Sequence, residues 1–363
     1  MKLAWKELKY SKTKYLLIES ILILMIFMVI FLSGLANGLA RAVSASIENA
    51  DATYFVISED AENLITISGI PTDVLGQVSE LTKDPVTSLD IHRMNLRREG
   101  SDTKLDVTYF AVDPESFLVP EVKEGELFTS STSEYTIVLD DSFEEEGIAI
   151  GDMVEDSASG LSLKVVGFVK DEMYGHSPVG FLSTETYTAI NQEINPAYTQ
   201  RYHAIAVQGE DISDIHIDGL AVVDKATIVD HLPGYSAEQI TINMILWVLV
   251  VISAAILGVF FYVITIQKQK QFGVLKAIGM GMGELTGIIT SQVLLLSLFG
   301  VFAGNLLAFG MASMLPGSMP FYLKIPIVAI ISVIFVIISL CTSLVSTRKV
   351  AKVDPIVIIG GNE

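Results

Sequence analysis

Four stretches of nearly uninterrupted hydrocarbon, each about as long as a bilayer is thick, decide what this chain can become. Leu16–Leu35 is broken only by Glu19, Ser20, Ser33 and Gly34. Twenty helical residues rise about 30 Å, the depth of a hydrocarbon core. A cleaved leader has a shorter apolar region, about 7–15 residues, which excludes a signal peptide here. Further spans are read at Ile242–Ile266, within Leu285–Leu315 and at Ile325–Val345. Lipid offers the backbone no hydrogen-bond partners, so each must be a helix.

Charge decides how the spans face. Lys2, Lys6, Lys9, Lys12 and Lys14 precede the first span, Lys268, Lys270 and Lys276 fall between the second and third, and Arg348, Lys349 and Lys352 follow the fourth. The positive-inside rule puts all three clusters, and with them both termini, in the cytoplasm. Residues 41–241 hold 11 Lys+Arg against 37 Asp+Glu, a net of −26, while the rest of the chain carries +7. The overall charge of −19 therefore belongs to one large outer domain and argues against a nucleic-acid partner. The expected plan is an α-helical membrane protein of four transmembrane helices, with a mixed α+β extracytoplasmic domain inserted between helices 1 and 2. In order, it comprises 1–40 (cytoplasmic segment and helix 1), 41–241 (outer domain), 242–266 (helix 2), 267–284 (cytoplasmic loop), 285–315 (helix 3), 316–324 (short external loop), 325–345 (helix 4) and 346–363 (cytoplasmic tail). Glu19 lies one turn beyond Tyr15 at the basic edge, where snorkelling or pairing with Lys14 or Lys12 is expected. The single cysteine, Cys341, forms no intrachain disulfide and is read as a small helix-packing residue.

In the outer domain, Tyr54–Ser58, Leu105–Val112, Tyr135–Leu139, Leu163–Val169 and His203–Gln208 are short and rich in β-branched or aromatic residues, as strands are. Glu59–Asp84 and Thr184–Ile194 read as helical, the second behind a capping Ser183. The run Glu144–Glu146 reads as a solvated helix face, since chelating spacing is absent.

The chain lacks the phosphate loop, the zinc-protease pair of histidines and the nucleophile elbow; Gly279–Gly283 has neither the spacing nor the lysine of a phosphate loop. The protein is therefore not expected to be an enzyme by itself, and uphill work would need a separate ATPase. The loop Gln267–Met282 places Phe272, Leu275 and Ile278 at i, i+3, i+6, with Lys276 beside them. Such a helix either docks into a partner's groove or rests on lipid.

Four spans with a large loop after the first, together with Gln271-Phe272-Gly273-Val274-Leu275-Lys276-Ala277-Ile278-Gly279 and the tail Arg348-Lys349-Val350-Ala351-Lys352-Val353-Asp354-Pro355-Ile356, resemble the FtsX/MacB-type ABC permeases. Ile137-Val138-Leu139, Ile150-Gly151-Asp152 and Val165-Val166-Gly167 follow the order of that family's outer-domain strands. The opening Met1–Glu7, the stretch Ser33–Ala40 and the segment Lys170–Ser177 are similar to the haem-efflux permeases of Gram-positive bacteria, the HrtB type. The resemblance implies a multi-pass cell-membrane protein, a permease homodimer with two copies of an ABC ATP-binding subunit, and ATP-Mg on that subunit. It further implies that loop 267–282 contacts the ATPase, that haem is the transported substrate and that the chain has no cofactor of its own. Export of peptide, antibiotic or lipid-linked cargo is the alternative transport reading; non-transporting control of an extracellular partner, as by FtsX itself, is the alternative from another functional class.

Haem is a flat apolar disc with two carboxylates and an iron that accepts thioether, imidazole or phenolate. On the first helix Leu24, Phe27, Phe31, Leu35 and Gly38 share a stripe with Met28, and Gly34 lies at its edge. Gly34-x-x-x-Gly38 permits close helix approach and suggests a dimer face, with the bulkier residues below it lining a slot. Met28 is the candidate membrane ligand, against ordinary packing. Tyr174 and His176 stand in a glycine-containing turn, against a structural turn alone. Tyr235 precedes the second span, as a ligand or an interfacial anchor. Arg41 and Lys324, at the outer ends of spans one and four, are candidate propionate partners or headgroup anchors.

Overall fold

The computed structural model describes residues 12–98, 100, 103–130, 134–209, 212, 216–316 and 319–351. The lysines at 2, 6 and 9 and the tail beyond 351 lie outside these, as do the side chains of Lys12, Lys14, Phe272, Arg348 and Lys349. Two compact units emerge: Leu39–Gln239, and the chain up to Gly38 taken together with Ile240 onward.

The membrane unit is built from helices α1 (Lys12–Asn49), α6 (Tyr235–Gln267), α8 (Met282–Ala312) and α9 (Ile325–Ala351), with the short α7 (Gln269–Ala277) after α6. All four long helices have the length and apolarity to cross a bilayer. The first is longer than its apolar run demands. Nothing breaks the helix through Arg41–Asn49, and 38 residues give about 57 Å, well beyond a hydrocarbon core. Leu22, Ile26, Val29 and Ile30 of α1 are buried with Phe261 of α6, Leu285, Ile289 and Val293 of α8, and Phe335 of α9. Each such side chain contributes roughly 1.5–3 kcal/mol where it leaves water, and in lipid it contributes packing instead. Close approach needs the two glycines of α8: a Cβ on Gly300 would lie 1.7 Å from Leu22 Cδ2, and one on Gly304 2.8 Å from Ile26 Cγ2. Cys341 is exposed rather than packed between helices, which corrects the reading from sequence.

The second unit is mixed α and β. Its strands are β1 (Tyr54–Ser58), β2 (Ile70–Pro71), β3 (Val86–Arg98), β4 (Lys104–Val112), β5 (Val122–Gly125), β6 (Thr136–Asp140), β7 (Met153–Asp156), β8 (Ser162–Val169), β9 (Met173–Tyr174), β10 (Ser177–Ser183), β11 (Arg201–Tyr202), β12 (Ala204–Val207) and β13 (Leu220–Asp224). Helices α2 (Val74–Leu81), α3 (Ser142–Glu145), α4 (Thr184–Ile194) and α5 (Lys225–Asp230) lie between them. The main sheet runs β13-β1-β12-β3-β4-β10-β6-β8-β5, with β7 bridging β3 and β8. β4–β10 and β6–β8 are parallel and the other pairs antiparallel.

One core joins Phe55, Ile91, Phe110, Val138 and Phe181 to Val43 and Ile47 of α1; another gathers Tyr109, Ile137, Phe168 and Tyr187. Ser183 caps α4 by accepting from the Thr186 amide at 3.1 Å. Glu59–Asp84 is not one helix. It holds two 3-10 turns, the strand β2 and α2. Glu62 and Asn63 adopt positive φ, and Pro71 has no N–H to give a ladder. Glu144 of the acidic run pairs with Lys123 at 3.0 Å, as does Asp141.

Candidate functional site

The turn carrying Tyr174 and His176 is a two-residue hairpin between β9 and β10, with Tyr174 opposite Ser177. Gly175 and His176 both take positive φ, 57° and 63°, the backbone of a tight hairpin turn whose twist suits the strands. Two carbonyls of α1 fasten it: the Gly175 amide donates to Val43 O at 3.0 Å and the His176 amide to Ala42 O at 2.8 Å.

Behind this turn lies a cavity of about 580 Å³, inside the range of small-ligand sites. Tyr174 and His176 line it, with His92, Arg93 and His203, and Val43, Ile91 and Leu232 supply apolar wall. The five histidines look scattered along the sequence. Pairing of β3 with β12, Leu89 opposite Ala204, closes the distance of more than a hundred residues between His92 and His203.

Each polar group of the cavity is held differently. Tyr174 is buried, its ring edge-on to Phe110 at 5.4 Å, and among the described residues its hydroxyl has no hydrogen-bond partner. Burial pushes that phenol well above its ordinary range. His176 Nε2 lies 3.2 Å from Glu238 Oε1 and is about half exposed. His92 Nδ1 faces the Tyr187 hydroxyl at 3.3 Å. Burial, and then the neighbouring His203, hold His92 below the usual imidazole range, so it is neutral at pH 7.

His203 has the most elaborate setting. Its Nδ1 accepts a hydrogen bond from the Ile91 amide at 3.3 Å and lies 3.0 Å from Asp90 Oδ1. Asp90 is fully buried and also accepts from the His203 amide at 3.2 Å and from Gln200 Nε2 at 2.6 Å. Desolvation raises the Asp90 carboxyl above its usual range, and the bonds from His203 and Gln200 oppose that rise. Among the described residues no three His, Cys, Asp or Glu stand where they could share a metal ion.

The other candidates fall elsewhere. Tyr235 opens α6 and packs against the core of Phe55 and Phe181 rather than lining the cavity. Arg41 reaches Asn49 Oδ1 at 3.4 Å, and Asn49 in turn donates to Glu172 Oε1 at 3.0 Å. Arg41 thus serves a buried acidic network and is not a wall of the cavity. Lys324 precedes α9 and its carbonyl accepts from the Ile327 and Val328 amides, as the first turn of a helix requires.

On α1, Leu24 and Met28 are 56% and 52% exposed, beside half-buried Phe27, Phe31 and Leu35. The rings of Phe27, Phe31 and Phe321 form a file with centroids 5.6 and 5.1 Å apart. The stripe therefore exists, with Met28 open at its side. Gly34 and Gly38, however, are not bare. The segment Pro320–Leu323 lies over them, with the Tyr322 amide donating to Gly34 O at 2.9 Å. A Cβ on Gly38 would sit 2.1 Å from Pro320 O. The small residues seat the chain's own segment Pro320–Leu323.

On α7 the described side chains divide differently from the i, i+3, i+6 pattern, the side chain of Phe272 lying outside them. Leu275 is half-buried and packs with Met280 and Met282 against the membrane core, whereas Val274 and Ile278 are 55% and 74% exposed. Among the described side chains the outward apolar pair is i, i+4 on Val274 and Ile278, and Lys276 is half-buried near the helix end. Just before α7, Lys268 is buried; its Nζ donates to Gln292 Oε1 at 2.8 Å and stands 5.5 Å above the Tyr15 ring. Glu19 is buried near Gly300, and among the described residues neither carboxyl oxygen has a hydrogen-bond partner; the side chains of Lys12 and Lys14, its expected partners, lie outside them. Nothing in its sequence position distinguishes it from an edge residue.

Two protein families match this chain: the FtsX-like permease C-terminal family over residues 243–355, and the MacB-like periplasmic core domain over residues 17–216. Two curated relatives, provisionally named hemin transport system permease protein HrtB, align over their whole length and the whole of this chain. The one from Staphylococcus haemolyticus is 29% identical and the one from Staphylococcus epidermidis 30%. A solved structure, the extracellular domain of the noncanonic ABC-type transporter YknZ from Gram-positive bacteria, matches at 14% identity and a TM-score of 0.34, covering 47% of this chain and 98% of its own.

Proposed function

Because the chain belongs to the FtsX/MacB family of ABC transporter permeases, and is thus a membrane-spanning subunit of the cell membrane, we propose that it extrudes haem from that membrane, driven by a separate ATP-binding subunit. The observation that carries this reading is the end-to-end alignment with the two staphylococcal proteins named for hemin transport.

In this reading two copies of the permease and two ATP-binding subunits form the working assembly, with ATP-Mg on the latter. The lysine-rich segments and both termini stay on the cytoplasmic side, and Leu39–Gln239 stands outside. Haem dissolved in the bilayer meets the α1 stripe, where exposed Leu24 and Met28 and the file of Phe27 and Phe31 offer apolar surface and a thioether. The Val274–Ile278 face of α7 seats against the ATP-binding subunit. ATP-driven closure there moves α6 through the buried Lys268 and squeezes the stripe, so haem must bind the open state more tightly than the closed one. Tyr174, His176 and the cavity behind them receive the ligand on the outer side, with Lys324 beside the route as a propionate partner.

The test is growth in excess hemin of cells lacking or carrying this chain together with its ATP-binding subunit. Protection that vanishes when that subunit's ATP hydrolysis is disabled supports the proposal. Equal sensitivity with and without the chain refutes haem as the cargo. At the molecular level, Met28→Ala with Tyr174→Ala must alter the Soret band of hemin-loaded protein.

A further inference from the structure

We propose that Phe321, on the segment between α8 and α9, is a further cargo-binding residue of the haem path: its ring extends the Phe27–Phe31 file beyond α1 and stacks on the porphyrin face. The inference rests on the haem-export reading and adds to it a contact residue from outside the first helix.

Flatness separates a porphyrin from the other cargo an apolar slot could take. Acyl chains and peptide side chains fill a groove of any shape, whereas a rigid disc gains most from a flat aromatic surface. Aromatic rings with centroids about 4.5–7 Å apart attract one another beyond the area they bury. The centroids of Phe27 and Phe31 lie 5.6 Å apart and those of Phe31 and Phe321 5.1 Å apart, with ring planes tilted by 33° and 38°. Together the two steps are comparable with the width of a porphyrin macrocycle, and the α1 pair alone spans only part of it. All three rings are half-buried, and the exposed Leu24 and Met28 belong to the same stretch of α1.

The chain also makes room for the third ring. Glycine inside a helix is destabilising relative to alanine, yet α1 keeps one at position 34, where a Cβ would lie 2.5 Å from Phe321 Cζ. The backbone of the segment is held by other means, since Pro320 lies over Gly38 and the Tyr322 amide donates to Gly34 O at 2.9 Å. These ties seat the segment whatever the side chain at 321. What the bare Cα of Gly34 accommodates is the ring itself, in line with Phe31.

The experiment uses detergent-purified full-length permease, with hemin and iron-free protoporphyrin IX as probes. Stacking needs no iron, so Phe321→Leu should weaken binding of both by the same factor, roughly 2–10-fold, whereas Met28→Ala should weaken hemin alone. Phe321→Tyr should bind both like the parent. Gly34→Ala, which displaces the ring without removing it, should weaken both porphyrins in step with Phe321→Leu while melting with the parent, a combination that loss of packing would not produce. Phe321→Trp adds a fluorophore that hemin should quench beyond the quenching of the parent's Trp5 and Trp247. Porphyrin binding unchanged in Phe321→Leu, or weakened for hemin alone, overturns this inference and leaves haem export standing wherever the parent chain still protects cells from hemin. Absence of hemin binding in the parent chain overturns both.

Discussion

Substitution of the two glycines of α1 separates an intrachain seat from a dimer face. At Gly38 an added Cβ would meet backbone, 2.1 Å from Pro320 O and 2.4 Å from Phe321 N, and backbone cannot step aside as a rotamer can. Overpacking of this kind costs about 3 kcal/mol, and the alanine returns about 1 kcal/mol of helix propensity. The net loss of about 2 kcal/mol corresponds to roughly 4–8 °C in a domain of this size class. At Gly34 the nearest atom is Phe321 Cζ at 2.5 Å, the free end of a ring, so Gly34→Ala should come close to neutral. Gly287, inside α8 with no atom within 4 Å of its Cβ position, provides a control that should be neutral or slightly stabilised by alanine. Thermal unfolding of each purified variant, with oligomeric state followed by size-exclusion light scattering, measures all three. Gly38→Ala protein that melts with the parent but no longer associates would refute the seat and restore the dimer face.

Three further outcomes follow from the same coordinates. Ser183→Ala removes the cap of α4 and should lower the stability of the outer unit by about 1 kcal/mol in denaturant titration, with Ser183→Asp retaining most of it. Burial raises the carboxyls of Asp90, Asp140 and Glu172. The folded state therefore holds protons more tightly than the unfolded one, and stability from these groups is greatest below the ordinary carboxylate range and is lost as pH rises through their folded values. Melting of the outer unit should then rise as pH falls toward the ordinary carboxylate range, with a shallower slope in Asp90→Asn. Lys268→Met keeps the stem but deletes the bond to Gln292, and should leave the complex with the ATP-binding subunit intact while hemin no longer stimulates ATP hydrolysis. Stimulation equal to the parent's would show that Lys268 transmits nothing.

Local signals were legible in the sequence and long-range ones were not. Tyr54–Ser58 and Thr184–Ile194 match the structure to the residue, because alternation and a serine cap are encoded within a few positions. Strand β3 went unread: Asp90, His92, Arg93, Asn95, Arg97 and Arg98 break its apolar pattern, and its extended form comes from pairing with β4 over eight positions. Strand β10 carries Pro178 and Gly180, both poor strand formers, yet it runs parallel to β4. A side chain on Gly180 would crowd Ile137 Cδ1 at 2.9 Å. The same limit governed the candidate site. Tyr174 and His176 were visible as a glycine turn, whereas the setting of His203 depends on a fully buried Asp90, and burial of a lone aspartate has no local signature. A histidine following a short strand and an aspartate in an apolar-flanked segment were the available hints. Arg41 and the glycine pair were read as sites for outside partners because the partners they do have, Asn49 and Pro320, come from folding.

Polar ties in the membrane unit divide its helices by how firmly they are held. Asn305 of α8 donates to Ser332 Oγ of α9 at 3.0 Å, and Leu22 and Ile26 of α1 fill the space left by Gly300 and Gly304 of α8. These contacts make α1, α8 and α9 a packed block. Helix α6 is held less: only 17% of its most apolar window is buried, against 39% for α1 and 33% for α8. Its C-terminal end is nevertheless pinned by Lys268 to Gln292 and over Tyr15, immediately before the exposed Val274–Ile278 face. In the proposed cycle a push on α7 enters the membrane through the buried Lys268, at the base of the least buried helix. The cost of breaking a buried charge–amide bond makes that junction stiff, while the body of α6 is only sparsely buried against the block. Stiff at the point of entry and loose along the span is the distribution a permease needs if work done in the cytoplasm is to change the width of a slot beside Met28.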